Sequence, residues 1–383
     1  MRPEGLSFDR LDGRPAFRRW TASGYDPVRL YLEDKKGKDM KAMRLTGIRK
    51  MEMLEVDKPQ IIADNDVLIK MTHVGVCGSD VHYYSRGKIG SQVVEYPFTV
   101  GHEGSGIVEA VGAAVTRVKV GDAIAIEPAT CCHHCDQCLI GREHTCRNLT
   151  FLGCPGQVEG CLSEYIVMKE QSCFPLGNKV TLEEGALSEP LSIGVYAVKM
   201  SIPMKGAKVG ILGCGPIGLS VLLPAIAQGA EKVYVTDKLD YRLAYAKKAG
   251  AIWTENPLKE DVAQAVAEQE PGLLDVVFEC CGQPEAVNNA LAMLKPGGKL
   301  MMIGIPETDT LGFDMDNMRR KEICVQNVRR QNQCVQLALD MIANKDFDVN
   351  IMTTHYFNFK DTQKAFDLVD NYEDGVVKAI IKF

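Results

Sequence analysis

Residues 207–237, AKVGILGCGPIGLSVLLPAIAQGAEKVYVTD, limit what this chain can fold into more than any other stretch. The apolar, β-branched opening predicts a buried strand, followed by a glycine turn, an apolar helix and a second strand. Gly213, Gly215 and Gly218 form G-x-G-x-x-G between the first strand and the helix. The first glycine permits the turn, the second lets backbone approach a pyrophosphate, and the third lets helix and strand pack closely. The helix N-terminus, where Ile217 sits, presents free N–H groups to phosphate. Asp237 ends the second strand nineteen residues after Gly218, the position of a ribose-binding acid. Its carboxylate accepts hydrogen bonds from ribose hydroxyls and repels a 2′-phosphate, which favours NAD. Lys238 and Arg242 nearby offer the opposite reading, NADP. Further buried strands are expected at 273–282, 298–306 and 322–328, with Leu294–Lys299 ending a helix on Pro and Gly. The fold class is therefore α/β, with a doubly wound parallel sheet in the second half.

The chain has 383 residues, room for about two domains. Ahead of the nucleotide half lies CCHHCDQCLIGREHTC, residues 131–146, with five cysteines and three histidines. Fourteen cysteines without a secretory signal point to reduced thiols and metal binding in the cytoplasm. Cys132, Cys135, Cys138 and Cys146 can close a tetrahedron around zinc. An iron–sulfur run of the ferredoxin type would bring its fourth cysteine sooner and follow it with Pro, whereas Arg147 stands here. Such a closed site holds a lobe together and leaves no position for substrate. Cys131, His133, His134 and His144 are read as bystanders to it.

Chemistry needs an open site, and VGVCGSDVHYY (74–84) with GHEGSGIVEAVG (101–112) supplies the parts. Cys77, His102 and Glu103 are a thiolate, an imidazole and a carboxylate, three ligands that leave a fourth position free. The net charge of −6 gives no reason to expect nucleic acid or an anionic membrane as partner. No apolar run is long enough to span a bilayer. The first forty residues carry seven acids, which argues against a transit peptide, and their role is opaque.

The combination of "CGSDVHYY", "GHEGSGIV", "AIEP" (125–128), "LSEPLSIGVYA" (187–197) and "VTDKLDYR" (235–242) resembles the zinc-dependent medium-chain dehydrogenases, in their polyol (sorbitol and xylitol) branch. The resemblance runs from about Lys41 to Phe383. It implies an N-terminal extension over 1–40 and a β-rich, GroES-like catalytic domain over 41–192. A Rossmann NAD-binding domain over 193–330 and a return to the catalytic domain over 331–383 complete the implied plan. It also implies a catalytic zinc on Cys77, His102 and Glu103, with Glu189 contacting the metal through water, and a structural zinc on the four cysteines. Ser79 and His82 take the positions of a proton relay, and Tyr83 and Arg329 match substrate-contacting positions. Arg242, Val328 and Arg329 fall among the cofactor-contacting positions. Where sorbitol enzymes commonly have Tyr after that arginine, this chain has Arg330, which joins the candidate substrate residues.

The implied activity is NAD-dependent interconversion of a polyol and a ketose by a homo-oligomer, dimer or tetramer. A bound zinc acts there as a Lewis acid on the alcohol, and nicotinamide takes the hydride. A sugar-acid 5-dehydrogenase and a threonine dehydrogenase-like enzyme remain alternatives. A decayed redox-sensing or structural relative is a remote one, opposed by the intact ligand set. Two adjacent arginines suit an anion, but neighbours on a strand point to opposite faces.

If Asp237 enforces the cofactor choice, Asp237→Ser weakens NAD and admits NADP, read as the ratio of kcat/KM for the two cofactors. A wild type that already prefers NADP overturns this reading.

Overall fold

Runs of Val, Ile and Leu build the two larger sheets among the described residues, and the candidate site residues hang from their edges and ends. The computed structural model describes residues 39–306, 308 and 310–383. The expected extension therefore lies, but for its last two positions, outside the described residues. The first sheet begins with β1 (Asp66–Gly75), β2 (Glu103–Val111), β3 (Ala123–Ile126), β4 (Tyr165–Lys169) and β5 (Cys173–Pro175). Between β1 and β2 lies the helix α1 (Gly78–Arg86), which starts directly after Cys77.

The second sheet holds β6 (Lys208–Leu212), β7 (Lys232–Thr236), β8 (Trp253–Glu255), β9 (Leu274–Glu279), β10 (Leu294–Met302) and β11 (Cys324–Asn327). Its order is β8-β7-β6-β9-β10-β11, parallel throughout. The chain moves outward one way from β6 and then the other way from β9. That reversal opens a ligand crevice at the carboxyl ends of the central strands. Two late strands, β12 (Thr353–Asn358) and β13 (Lys378–Lys382), return to the first sheet. Its order is β5-β3-β2-β1-β13-β12, with β4 also paired to β1. The β-rich and Rossmann-like halves expected from the sequence are both present.

The helix α2 (Leu182–Met200) joins the halves. Thr181 caps it: its hydroxyl accepts from the Glu184 N–H at 3.2 Å, and the Glu184 carboxylate accepts from the Thr181 N–H at 2.8 Å. The expected boundary at 192–193 falls inside this helix, so a buried rod, not a linker, connects the two sheets. One continuous apolar core runs from Ala125 in β3 through Leu187, Leu191 and Val195 to Val209 and Ile211 in β6. A second difference concerns residues 294–299. The preceding helix stops at Met293, and Leu294 is already paired with Leu274 in β10. Its buried side chain anchors the strand before Pro296, and the register shift between Leu274 and Val276 absorbs the Pro-Gly segment.

The glycine turn behaves as its sequence demands. Gly213 has φ +94, and a Cβ on Gly218 would stand 2.0 Å from the Gly213 carbonyl oxygen. The helix α3 (Pro216–Ala227) can start where it does only because residue 218 has no side chain. Gly218→Val is expected to cost about 1–3 kcal/mol or more by overpacking and to abolish nucleotide binding. Thermal denaturation and NAD titration by intrinsic fluorescence check this.

Candidate active site and metal centres

Two groups of metal-ligating side chains expected from the sequence do assemble. The first is the lobe at 131–146. Cys135 Sγ lies 3.6 Å from Cys138 Sγ and 3.8 Å from Cys146 Sγ, and Cys146 Sγ lies 3.5 Å from Cys132 Sγ. Four thiolates at about 2.3 Å from a tetrahedral zinc are about 3.8 Å apart, so this donor set fits the ion. Backbone N–H groups, that of His134 foremost, pull the Cys132 thiol down to about 5, while burial and neighbouring thiols push Cys138 up. A divalent cation removes that conflict by stabilising all the thiolates at once. His144 is a bystander as expected, buried and hydrogen-bonded to the Tyr196 hydroxyl at 3.1 Å.

The second group is Cys77, His102 and Glu103, whose ligand atoms lie within 4.8 Å of one another. Cys77 caps the start of α1, and His102 and Glu103 sit where the chain enters β2. His102 Nδ1 stands 3.3 Å from Asp80 Oδ1, which leaves Nε2 available to a metal. Burial opposes protonation of His102, but the Asp80 and Cys77 charges outweigh it and hold its pKa well above normal in the metal-free protein. A carboxylate behind a ligating imidazole fixes its tautomer and raises its basicity. Glu103 is 1% exposed, and both its oxygens accept from Lys378 Nζ, at 2.7 and 2.5 Å. A Cβ on Gly75 would lie 2.1 Å from Glu103 Oε2, so this ion pair needs glycine at 75. Each carboxylate oxygen keeps a lone pair for a metal, so a thiolate, an imidazole and a carboxylate converge here and suit zinc.

The remaining candidates distribute around this centre. The Ser79 hydroxyl donates to Cys77 Sγ at 3.3 Å. His82 lies on α1, partly buried. The Tyr83 hydroxyl donates to Gln92 Oε1 at 3.0 Å, and burial pushes its pKa far up. Glu189, on α2, is not among the ligand atoms that converge within 4.8 Å. Burial raises it to about 7, against the pull of His102.

Arg329 is exposed, whereas Arg330 turns inward at φ 52, with Cζ 3.6 Å above the Phe151 ring. Phe151 in turn packs on the His102 ring at 5.2 Å. Arg330 Nη1 is buried with no hydrogen-bond partner, and burial followed by the Arg329 charge lowers its pKa to about 10. Glu127 lies close by, engaged by the Ala129 N–H at 3.0 Å and by Gln331 Nε2. Burial raises it to about 8.

In the nucleotide half, Asp237 Oδ2 accepts from the Cys214 N–H at 2.7 Å, and Oδ1 from the Leu239 N–H at 2.8 Å. The carboxylate is thereby fixed at the mouth of the glycine turn. Arg242 lies over Gly215, where a Cβ would meet Nη1 at 3.2 Å, and 3.9 Å from Asp237 Oδ2. Val328 closes the end of β11, its N–H donating to the Met302 carbonyl at 2.8 Å.

Asp80, Glu127, Phe151 and Lys378 were not singled out from the sequence. Asp80 carries a usable signal, since an acid three residues after a ligating cysteine on a helix lies on the same face. Lys378 carries none, because it meets Glu103 across 275 residues.

The alcohol dehydrogenase GroES-like domain matches residues 63–178, and the zinc-binding dehydrogenase domain matches 216–344. The chain is 34% identical over 345 residues to sorbitol dehydrogenase of Bacillus subtilis, covering 90% of this chain and 97% of that protein. It is 34% identical over 331 residues to D-xylulose reductase A of Aspergillus niger, covering 85% and 92%. Among solved structures, L-idonate 5-dehydrogenase from Escherichia coli superposes with a TM-score of 0.81 at 26% identity, covering 90% of this chain and 98% of that one.

The two ligand sets predict opposite phenotypes. Cys138→Ser is expected to lose a zinc ion and lower the melting temperature, because structural zinc carries roughly 10 kcal/mol of apparent binding energy. Cys77→Ser is expected to abolish turnover with little change in melting temperature. Metal analysis, calorimetry and NAD reduction on the same preparations separate them.

Proposed function

We propose that this chain, which belongs to the zinc-binding alcohol dehydrogenase family with a GroES-like domain, oxidises a polyol secondary alcohol to a ketose with NAD, reversibly and in the cytoplasm. The observation that carries the reading is the meeting of Cys77 with the buried His102 and Glu103, next to Phe151 and Arg330. When bound, zinc supplies Lewis-acid polarisation of the substrate oxygen and NAD accepts the hydride.

The chain's own residues do the rest. Cys77, His102 and Glu103 would hold the metal, and Glu189 would contact it through water. Asp80 keeps the His102 imidazole oriented through Nδ1. Asp237 would hold the adenosine ribose and the Gly213–Gly218 turn the pyrophosphate, and Ile217, Arg242, Val328 and Arg329 would complete the cofactor contacts. The alcohol proton leaves through Ser79 and His82, and Ser79 is already hydrogen-bonded at the Cys77 sulfur. Tyr83 and Glu127 present hydroxyl-binding groups to the substrate, and Glu127 with its pKa near 8 can donate as well as accept at neutral pH.

One observation favours a second substrate reading. Arg330, in place of an expected tyrosine, presents a buried guanidinium nitrogen without a protein partner. An arginine so placed favours a carboxylate, hence a sugar acid of the hexonate type, the substrate class named for the structural relative L-idonate 5-dehydrogenase.

Both readings are tested by one panel. Sorbitol, xylitol and hexonates are assayed with NAD by absorbance, with and without chelator, in wild type and Arg330→Tyr. All turnover should vanish with the metal. The polyol reading expects the highest kcat/KM on neutral polyols in the wild type. The sugar-acid reading expects hexonates to lead and Arg330→Tyr to move the preference toward neutral polyols about tenfold or more, the value of one lost charge-assisted bond. Turnover that survives full removal of metal would overturn both.

A further inference from the structure

We propose that Cys131, His133 and Glu143 form an additional zinc site on the surface of the cysteine-rich lobe, separate from the four-thiolate set and from the catalytic ligands. The sequence alone reads Cys131 and His133 as bystanders, and toward the four-thiolate set they are. The fold nevertheless brings their ligand atoms and a Glu143 oxygen within 4.8 Å of one another. Cys131 Sγ lies 3.5 Å from His133 Nδ1 and 3.6 Å from Nε2, and Nδ1 lies 3.4 Å from Glu143 Oε1. Ligands on a tetrahedral zinc, at about 2.3 Å for sulfur and about 2.0 Å for nitrogen and oxygen, stand about 3.5 Å apart for S···N and about 3.3 Å for N···O. A direct charge-assisted bond between imidazolium and carboxylate would instead close to about 2.7–2.9 Å. The Nδ1···Oε1 spacing is that of two ligands on one ion, while Cys131 Sγ lies beside the ring, nearly equidistant from both nitrogens, and needs a turn about its Cα–Cβ bond to join them.

The surroundings orient each donor. The Gln171 side-chain amide lies 3.2 Å from His133 Nε2. Amide oxygen and nitrogen are interchangeable by a flip, so the Gln171 oxygen can accept Nε2–H and leave the Nδ1 lone pair facing Glu143, the arrangement that supports a ligating histidine. Gln333 Nε2 donates to Glu143 Oε2 at 3.4 Å, which leaves Oε1 turned to His133. His133 itself adopts φ 60, a left-handed conformation uncommon outside glycine, and that turn places its ring between Cys131 and Glu143. A thiolate, an imidazole and a carboxylate select zinc over the hard cations, and binding releases the Cys131 thiol proton to solvent. His133 is about half exposed, so the fourth position is open to water and the site loads more weakly than the closed thiolate set.

The test uses the intact protein and does not depend on its substrate. Wild type, Cys131→Ser and His133→Asn are equilibrated with excess zinc, passed through a desalting column at fixed micromolar free zinc, and analysed by atomic emission. Asparagine is chosen at 133 because it tolerates the left-handed backbone. Wild type should retain one more zinc per subunit than either variant, with alcohol oxidation and melting temperature unchanged. Cobalt added to wild type that holds only two zinc ions per subunit should give a thiolate charge-transfer band in the near ultraviolet that Cys131→Ser lacks. If Cys131→Ser disturbs the adjacent Cys132, its melting temperature falls as in Cys138→Ser, and His133→Asn then decides. Equal zinc in wild type and His133→Asn overturns the proposal.

Discussion

The buried pair between Glu103 and Lys378 is the constraint around which the active-site half closes. Each side chain is 1% exposed, and an ion buried to that degree is costly unless a partner of opposite charge and hydrogen bonds replace its water. The Lys378 ammonium has three donors, and the two Glu103 oxygens and the Val76 carbonyl, at 3.3 Å, take them. Glu103 lies at the start of β2 and Lys378 at the start of β13, with β1 between them in the sheet. They meet across Gly75, which pairs with Glu103 on one side and Ile380 on the other. The last strand thus carries the counter-charge for a candidate metal ligand fixed 275 residues earlier. Without β13 the sheet would bury an uncompensated carboxylate next to His102, a penalty of several kcal/mol.

The same economy of charge shapes the substrate side. Arg330 extends from the end of the parallel sheet and lies on Phe151, so the cation rests on an aromatic face, with Glu189 and Glu127 near enough to act on its charge. Gln331, the next residue, engages Glu127 from the first half. The loop after β11 therefore ties the nucleotide half to the β-rich half. Arg330 Nη1 is buried there without a hydrogen-bond partner among the described residues. Arg330 lies past the end of β11 with a left-handed backbone, and Arg329 beside it is exposed.

The cysteine-rich lobe shows how one short segment serves two coordination geometries. The i, i+3 spacing of Cys132, Cys135 and Cys138 around a single short helical turn converges three thiols, and Cys146 closes the set. Cys131 and His133 alternate out of that convergence and face Glu143 instead. Cys131 remains within hydrogen-bonding reach of Cys138, so the two clusters share a border.

The Cys77, His102 and Glu103 set was legible only together with the nucleotide half and the family resemblance, whereas local spacing alone was enough to read the glycine turn, the acid at the tip of β7 and the four-cysteine lobe. Each of these is a geometry that a few neighbouring residues impose by themselves: a turn without Cβ atoms, a helix start, a loop folded on a metal. The two-sheet plan followed from the switch in hydrophobic pattern near Ala207. Only the tertiary structure decided that Lys378 neutralises Glu103, that α2 runs unbroken through the expected boundary, and that Arg330 and not Arg329 turns toward His102. It alone brought Glu143 to Cys131 and His133. These outcomes depend on which side chains remain uncompensated once the sheets close, a quantity set by burial and by partners far away in sequence. Spacing along a chain carries geometry across a few residues, and charge compensation in a core is settled only when the whole fold excludes water.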